Sequence, residues 1–292
     1  GNLTSNVTAL TSAQGDKLAA LEATIQDLRA ELADTGASKW GVMVTVQGGT
    51  LPQESELAGQ TVDTFQIGKY EVTWAEWQEV RFWATSHGYT DLGGVGAGNT
   101  ASHPVQSVSW YDVVKWCNAK SEKEGLTPVY QVNGATYKTG QSDPTINSTA
   151  NGYRLPSEKE WERAARGGVS SQGYTYSGSN DVNAVAWYDS INGTKAAGTK
   201  AANELGIYDM SGNVAEWCWD EAAGGSRRVR GGAWFGSPTD CEVARRSFNG
   251  PENKFDFLGF RMARNLADAS LLAQQPPAEP ALDFSTNSTL PN

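Results

Sequence analysis

The sequence predicts an α+β domain of irregular, loop-rich build, with a separate helix before it and a Pro/Ala-rich tail after it. Eleven Trp, ten Tyr and 32 Gly stand beside only 19% charged residues in a chain of 292, a composition of rings packed against tight turns rather than of a helical bundle. Between residues 40 and 265, short alternating stretches interleave with capped helical ones. Residues 1–36 and 266–292 follow neither pattern, so three regions are expected: 1–36, 40–265 and 266–292.

Each element has a local reason. "WGVMVTVQGG" (40–49) and "FQIGKYEVT" (65–73) alternate and end in turn residues, as strands do. "TWAEWQEVRFWATSHG" (73–88) has helical spacing with Thr73 placed to cap it. "SWYDVVKWCNAKSEKEG" (109–125) is a second helix, opened by Ser109 and closed by Gly125. "LPSEKEWERAARGG" (155–168) is a third, in which Ser157 and Glu160 form a capping box and Gly167 and Gly168 stop the helix.

Upstream, Leu18, Leu21, Ile25, Leu28 and Leu32 recur at steps of three and four within residues 3–34. That seam predicts a coiled coil through which the chain associates with itself; Leu3, Val7 and Leu10 begin it in another phase, with a stutter near Gln14. A single amphipathic helix lying on its own domain is the alternative. The tail from residue 266 lacks the apolar density for a core and is expected to be either disordered or an arm laid on a neighbour.

A formal charge of −10 without a dense Lys/Arg run removes the field that attracts phosphate backbones, so nucleic acid is not an expected partner. No apolar run approaches the ~18–20 residues of a membrane span. Asn-X-Ser/Thr triplets at Asn2, Asn6, Asn147, Asn192 and Asn287 suit a secreted or cell-surface protein. Cys117, Cys218 and Cys241 make neither a disulfide framework nor a paired zinc site.

Three stretches, "GYRLPSEKEWERAARGG" (152–168), "NELGIYDMSGNVAEWCWD" (203–220) and "RVRGGAW…ARRSFNGPENKFDFLGFR" (228–261), agree in order and composition with one family. Together with "FQIGKYEVTWAEW" (65–77) and "HPVQSVSWYDVVKWCN" (103–118), they resemble the formylglycine-generating enzyme (sulfatase-modifying factor) family over about residues 44–264. The resemblance implies the C-type-lectin-like fold of formylglycine-generating-enzyme type.

The enzymes of that family use two cysteines, five apart and shortly after Arg-Gly-Gly, to bind copper. Two soft thiolates suit Cu(I). Counted from Arg230, Gly231 and Gly232, the first position falls on Gly236 and the second on Cys241. Copper binding is therefore not expected; a copper-dependent formylglycine-generating oxidase using Cys241 is the enzymatic alternative. The resemblance also implies a structural calcium ion held by the side chains of Asp209 and Glu216 and the carbonyls of Gly212 and Val214; otherwise the two carboxylates satisfy backbone amides in a tight turn.

Cys218 follows the Gly-Asn-Val-Ala-Glu-Trp motif and Cys241 lies on a loop expected to fold back near it, so a disulfide between them is open; Cys117 reads as a buried free thiol. Arg230, Arg246 and Arg261 are expected to pair with buried carboxylates or carbonyls.

The stretch 234–256 remains as an exposed recognition loop, with Trp234, Phe235, Ser237, Asp240, Glu242, Phe248, Asn249, Asn253 and Phe255 as its ligand-binding residues. The expected function is a non-catalytic, surface-displayed binding or assembly protein on an oligomerising stalk, with an unknown protein or glycan as ligand. A structural subunit of a surface fibre or filament is the alternative.

Overall fold

The computed structural model describes residues 40–266. The predicted coiled coil, and the tail beyond Leu266, lie outside the described residues.

The first sheet has the order β1-β4-β13-β8, formed by β1 (Met43–Val46), β4 (Phe65–Gly68), β13 (Ala263–Asn265) and β8 (Tyr153–Arg154). Strand β4 pairs antiparallel with both β1 and β13, the strands nearest the two ends of the described chain. The second sheet has the order β11-β10-β9-β12, from β9 (Ala215–Glu221), β10 (Arg227–Arg230), β11 (Arg246–Asn249) and β12 (Leu258–Gly259). Small ribbons, β2 (Gly49–Thr50) with β3 (Thr61–Val62), and β5 (Tyr130–Val132) with β6 (Ala135–Thr136) and β7 (Thr145–Ile146), complete the strands.

The expected helices form α1 (Trp74–Ser86), α2 (Trp110–Lys123) and α3 (Glu158–Ala165); a single turn, α4 (Val182–Val185), adds to them. Thr73 caps α1 by accepting from the Glu76 amide at 3.3 Å. At α2 the box is reciprocal: the Asp112 amide donates to Ser109 Oγ at 3.1 Å and the Ser109 amide donates back to Asp112 Oδ2 at 3.0 Å. Ser157 and Glu160 close the same box on α3. Gly167 ends α3 at φ +85°, a left-handed backbone that a side chain would strain.

The tryptophans organise the core. Trp77, Trp110, Trp116, Trp161 and Trp217 are fully buried, and each indole N–H has an acceptor, as a buried polar hydrogen must. Trp77 and Trp116 stack at 5.6 Å between α1 and α2, and Phe260 sets its edge against both. The Trp110 N–H reaches the Cys218 carbonyl at 3.0 Å, and the Trp217 N–H the Val108 carbonyl at 3.0 Å, tying α2 and its approach to β9. A second cluster, around Trp161, Ile67, Phe65, Met210 and Val243, packs α3 against the first sheet.

Truncating Trp77 to Ala should cost ~3–5 kcal/mol of unfolding free energy, the range for a large aromatic removed from a packed core. Ser109→Ala should cost about 1–2 kcal/mol through loss of the cap. Urea denaturation followed by tryptophan fluorescence reads both.

Candidate functional site

A cleft of about 210 Å³ opens on the second sheet, lined by the Gly231–Gly232–Ala233 turn below and by Phe235, Phe257, Asp240, Arg245, Ser247 and Asn249 around it. The floor follows from the glycines: both have positive φ, +94° and +75°, and a Cβ on Gly232 would fall 2.6 Å from the Asp240 carbonyl oxygen.

The rim is aromatic. Phe235 meets Phe257 edge-on at 4.9 Å, Phe257 stacks on Phe255 at 5.1 Å, and Trp234 sets its edge on Phe235 at 5.3 Å. Phe235 is 52% and Phe255 40% exposed. Backbone bonds fix the segment that carries them: the Trp234 amide donates to Asn213, and the Asp189 and Ser190 amides donate to Gly236 and Trp234.

Behind the floor lies a charged frame. Arg261 donates to both oxygens of Glu216 at 2.6–2.9 Å, and Trp161 Nε1 donates to Glu216 Oε2 at 2.7 Å, with Arg261 and Glu216 fully buried. Glu71 sits beside them, accepting from the Val214 amide at 3.0 Å and from Asn213 Nδ2 at 2.6 Å. Burial, and then the charges of Asp209 and Glu216, hold the Glu71 carboxyl well above the usual carboxylate range. On the other side, Glu158 receives Arg230 at 3.0 Å and Arg246 at 2.6 and 2.7 Å, while Glu162 receives a second branch of Arg230 at 3.0 Å. Arg230, Arg246 and Arg261 thus take the carboxylate partners expected for them.

The family description "Sulfatase-modifying factor enzyme 1-like domain" matches residues 29–266. The chain belongs to the sulfatase-modifying-factor family. It is 38% identical over 238 residues to the chaperone protein LppX of Paenibacillus barcinonensis, covering 69% of this chain and 81% of that relative. It is 28% identical over 204 residues to the inactive C-alpha-formylglycine-generating enzyme 2 of Bos taurus, covering 62% of this chain and 65% of that relative. Treponema denticola variable protein 1 superposes with a TM-score of 0.62 at 31% identity, over 76% of this chain and 94% of that one. The fold is accordingly the C-type-lectin-like fold of the sulfatase-modifying-factor type.

The copper site of the sulfatase-modifying-factor enzymes does not fit these residues. Gly236, at the first ligand position, lines the cleft without a side chain. Cys241 closes a short 3-10 turn, Pro238–Cys241, beneath the Gly232 floor and is fully buried. Burial, with the nearby Asp240 charge, lifts its thiol from the ordinary 9.0 to about 12, so it stands as a neutral thiol at physiological pH.

The disulfide left open between Cys218 and Cys241 is not formed; all three cysteines are free and buried. Cys218 packs with Trp161, Met210 and Val243 and, besides its burial, feels the Arg230 charge, whereas the charge that acts on Cys241 is that of its sequence neighbour Asp240.

The residues expected to hold calcium have other partners in this structure. Each carboxylate oxygen offers about two lone-pair sites, and both oxygens of Glu216 already accept two hydrogen bonds each. Asp209 Oδ2 accepts from the Gly198 amide at 2.7 Å. Gly212 and Val214 lie in the segment between Asp209 and Glu216.

Of the nine ligand-binding residues expected, Phe235, Asp240 and Asn249 line the cleft. Trp234 buttresses it, donating its indole N–H to the Asp256 carbonyl at 3.2 Å, and Phe255 backs Phe257. Ser237 caps the 3-10 turn through Asp240 at 2.7–2.9 Å, Asn253 donates to Asn249 Oδ1 at 2.6 Å, and Glu242 and Phe248 do not line the cleft. The stretch 234–256 is also not wholly a loop, since residues 246–249 form β11. Sequence reading missed Arg245 and Phe257 as cleft residues, and the signal was there: "ARR" offers two arginines, of which Arg246 is taken up by Glu158 and Arg245 is left outside.

Native protein should leave Cys117, Cys218 and Cys241 unmodified by iodoacetamide at pH 8, with all three alkylated after denaturation. Because the Cys241 value is raised in the folded state, its contribution to stability is complete below pH 9.0 and declines as pH rises toward about 12, which urea melts across that window read out. Chelation with EDTA should leave the melting temperature unchanged, whereas Arg261→Met should cost about 3–5 kcal/mol by stranding Glu216.

Proposed function

We propose that this protein is a non-catalytic binding or assembly protein, held outside the cell on an oligomerising N-terminal stalk, whose ligand site is the cleft rimmed by Phe235 and Phe257. One observation carries the reading: the place where family enzymes present thiols offers a glycine backbone, exposed aromatic rings and an exposed arginine, while its cysteine is buried and neutral. Exposed rings beside adaptable polar groups are the chemistry of recognition. The names of the relatives point the same way, one a chaperone, one an inactive enzyme and one a variable protein.

The ligand is a protein or a glycan. The heptad seam in residues 3–34 supports a stalk, and the Asn-X-Ser/Thr triplets support a secreted or cell-surface location. No described helix is long and apolar enough to cross a membrane.

The test probes the full chain against an oligosaccharide array and a peptide library, beside a Phe235→Ala variant. Binding that falls at least about tenfold in the variant is expected, since a buried aromatic contact is worth more than about 1.4 kcal/mol. Ligands held equally by both proteins would place the site elsewhere. Native mass spectrometry should show a discrete dimer or trimer that becomes a monomer when residues 1–36 are removed; an open-ended polymer would favour a fibre subunit instead.

A further inference from the structure

Strand β11 is an edge. It pairs with β10 on one side, and no described strand pairs with the other. Edge strands are ordinarily blunted by Lys, Pro or a bulge, because their unpaired N–H and C=O groups invite another strand. Here Arg246–Asn249 carries no Lys or Pro, its one charged side chain, Arg246, is paired with Glu158, and its register with β10 runs unbroken over four pairs. Ser247 and Phe248 are exposed.

The side chains alternate, as the pleat requires. Ser247 and Asn249 face the cleft, and Arg246 turns to Glu158 on the other face. Phe248 shares that second face and is 57% exposed. Arg245 precedes the strand on the cleft wall with 60% of its side chain exposed, and its ion pair with Asp240 is long, 3.9 Å. A free strand edge, an apolar ring pair and an exposed cation therefore lie side by side.

We infer that an extended segment of another polypeptide adds to β11 as a further strand, placing an apolar side chain against the Phe235–Phe257 ring pair and an acidic one against Arg245. The inference rests on the binding function proposed above and selects protein over glycan, because only a polypeptide pairs with the edge through its backbone. Its geometry sets a pattern. Residues two apart share a face, so the acid lies two positions from the apolar residue, and the residue between them meets Phe248.

The test selects binders for the full chain from capped hexapeptides randomised at every position. Selected sequences should carry Asp or Glu two places from an apolar residue. N-methylating alternate amides of the best binder should abolish binding in one of the two registers and spare it in the other. Arg245→Ala should weaken that peptide about tenfold, the loss of one charge-assisted hydrogen bond, and Arg245→Lys should restore part of it.

Peptides that tolerate N-methylation in both registers would overturn strand addition. So would a library that yields no binder while an oligosaccharide binds in a Phe235-dependent way, and that result would leave the proposed binding function standing. If neither ligand class depends on Phe235, the binding function falls with it.

Discussion

The carboxylate of Glu216 is the joint on which the rest of the domain depends. It sits on β9 of the second sheet and accepts from Arg261, ahead of β13 in the first sheet, and from Trp161 on α3. Arg261 continues outward to the carbonyls of Gly68, on β4, and of Tyr208 at 3.1 and 2.9 Å. One ion pair thus joins both sheets and a helix in the interior, where removing either partner would leave a buried, uncompensated charge.

With the frame fixed from behind, the cleft becomes a matter of what the chain places on top. Two left-handed glycines keep its floor bare, and the bonds from Asp189 and Ser190 to the 234–236 segment hold the aromatic rim in place. A pre-set surface of this kind loses little conformational entropy when a ligand arrives. Sinking the thiol below that floor removes reactivity from the cleft without disturbing its shape, since Cys241 behaves as a small apolar residue when buried.

Much of the fold was legible because its signals are local. Thr73, Ser109 and Ser157 mark helix starts through their own side chains, and Gly125 and Gly167 mark ends through their backbone; each needs only neighbouring residues to be read. The long-range parts were not. Strand β11 is four residues with no strong alternation, and it exists because β10 is there to pair with it. Phe257 reads as one aromatic among many until Phe235, distant in sequence, meets its ring. The partner of Glu216 was hidden for a related reason: an acidic turn looks alike in sequence whether an ion or an arginine fills it, and Arg261 lies 45 residues from Glu216.

The central proposal is that the position matching the enzymes' copper cysteines serves recognition and holds no copper. The most direct measurement is a titration of the reduced full chain with Cu(I) against a competing chromogenic chelator, run beside Cys241→Ser. The account predicts that both proteins leave the chelator fully loaded, because a single buried neutral thiol does not make a Cu(I) site. Stoichiometric copper uptake by the native chain, lost in Cys241→Ser, would contradict it and return the domain to the oxidases.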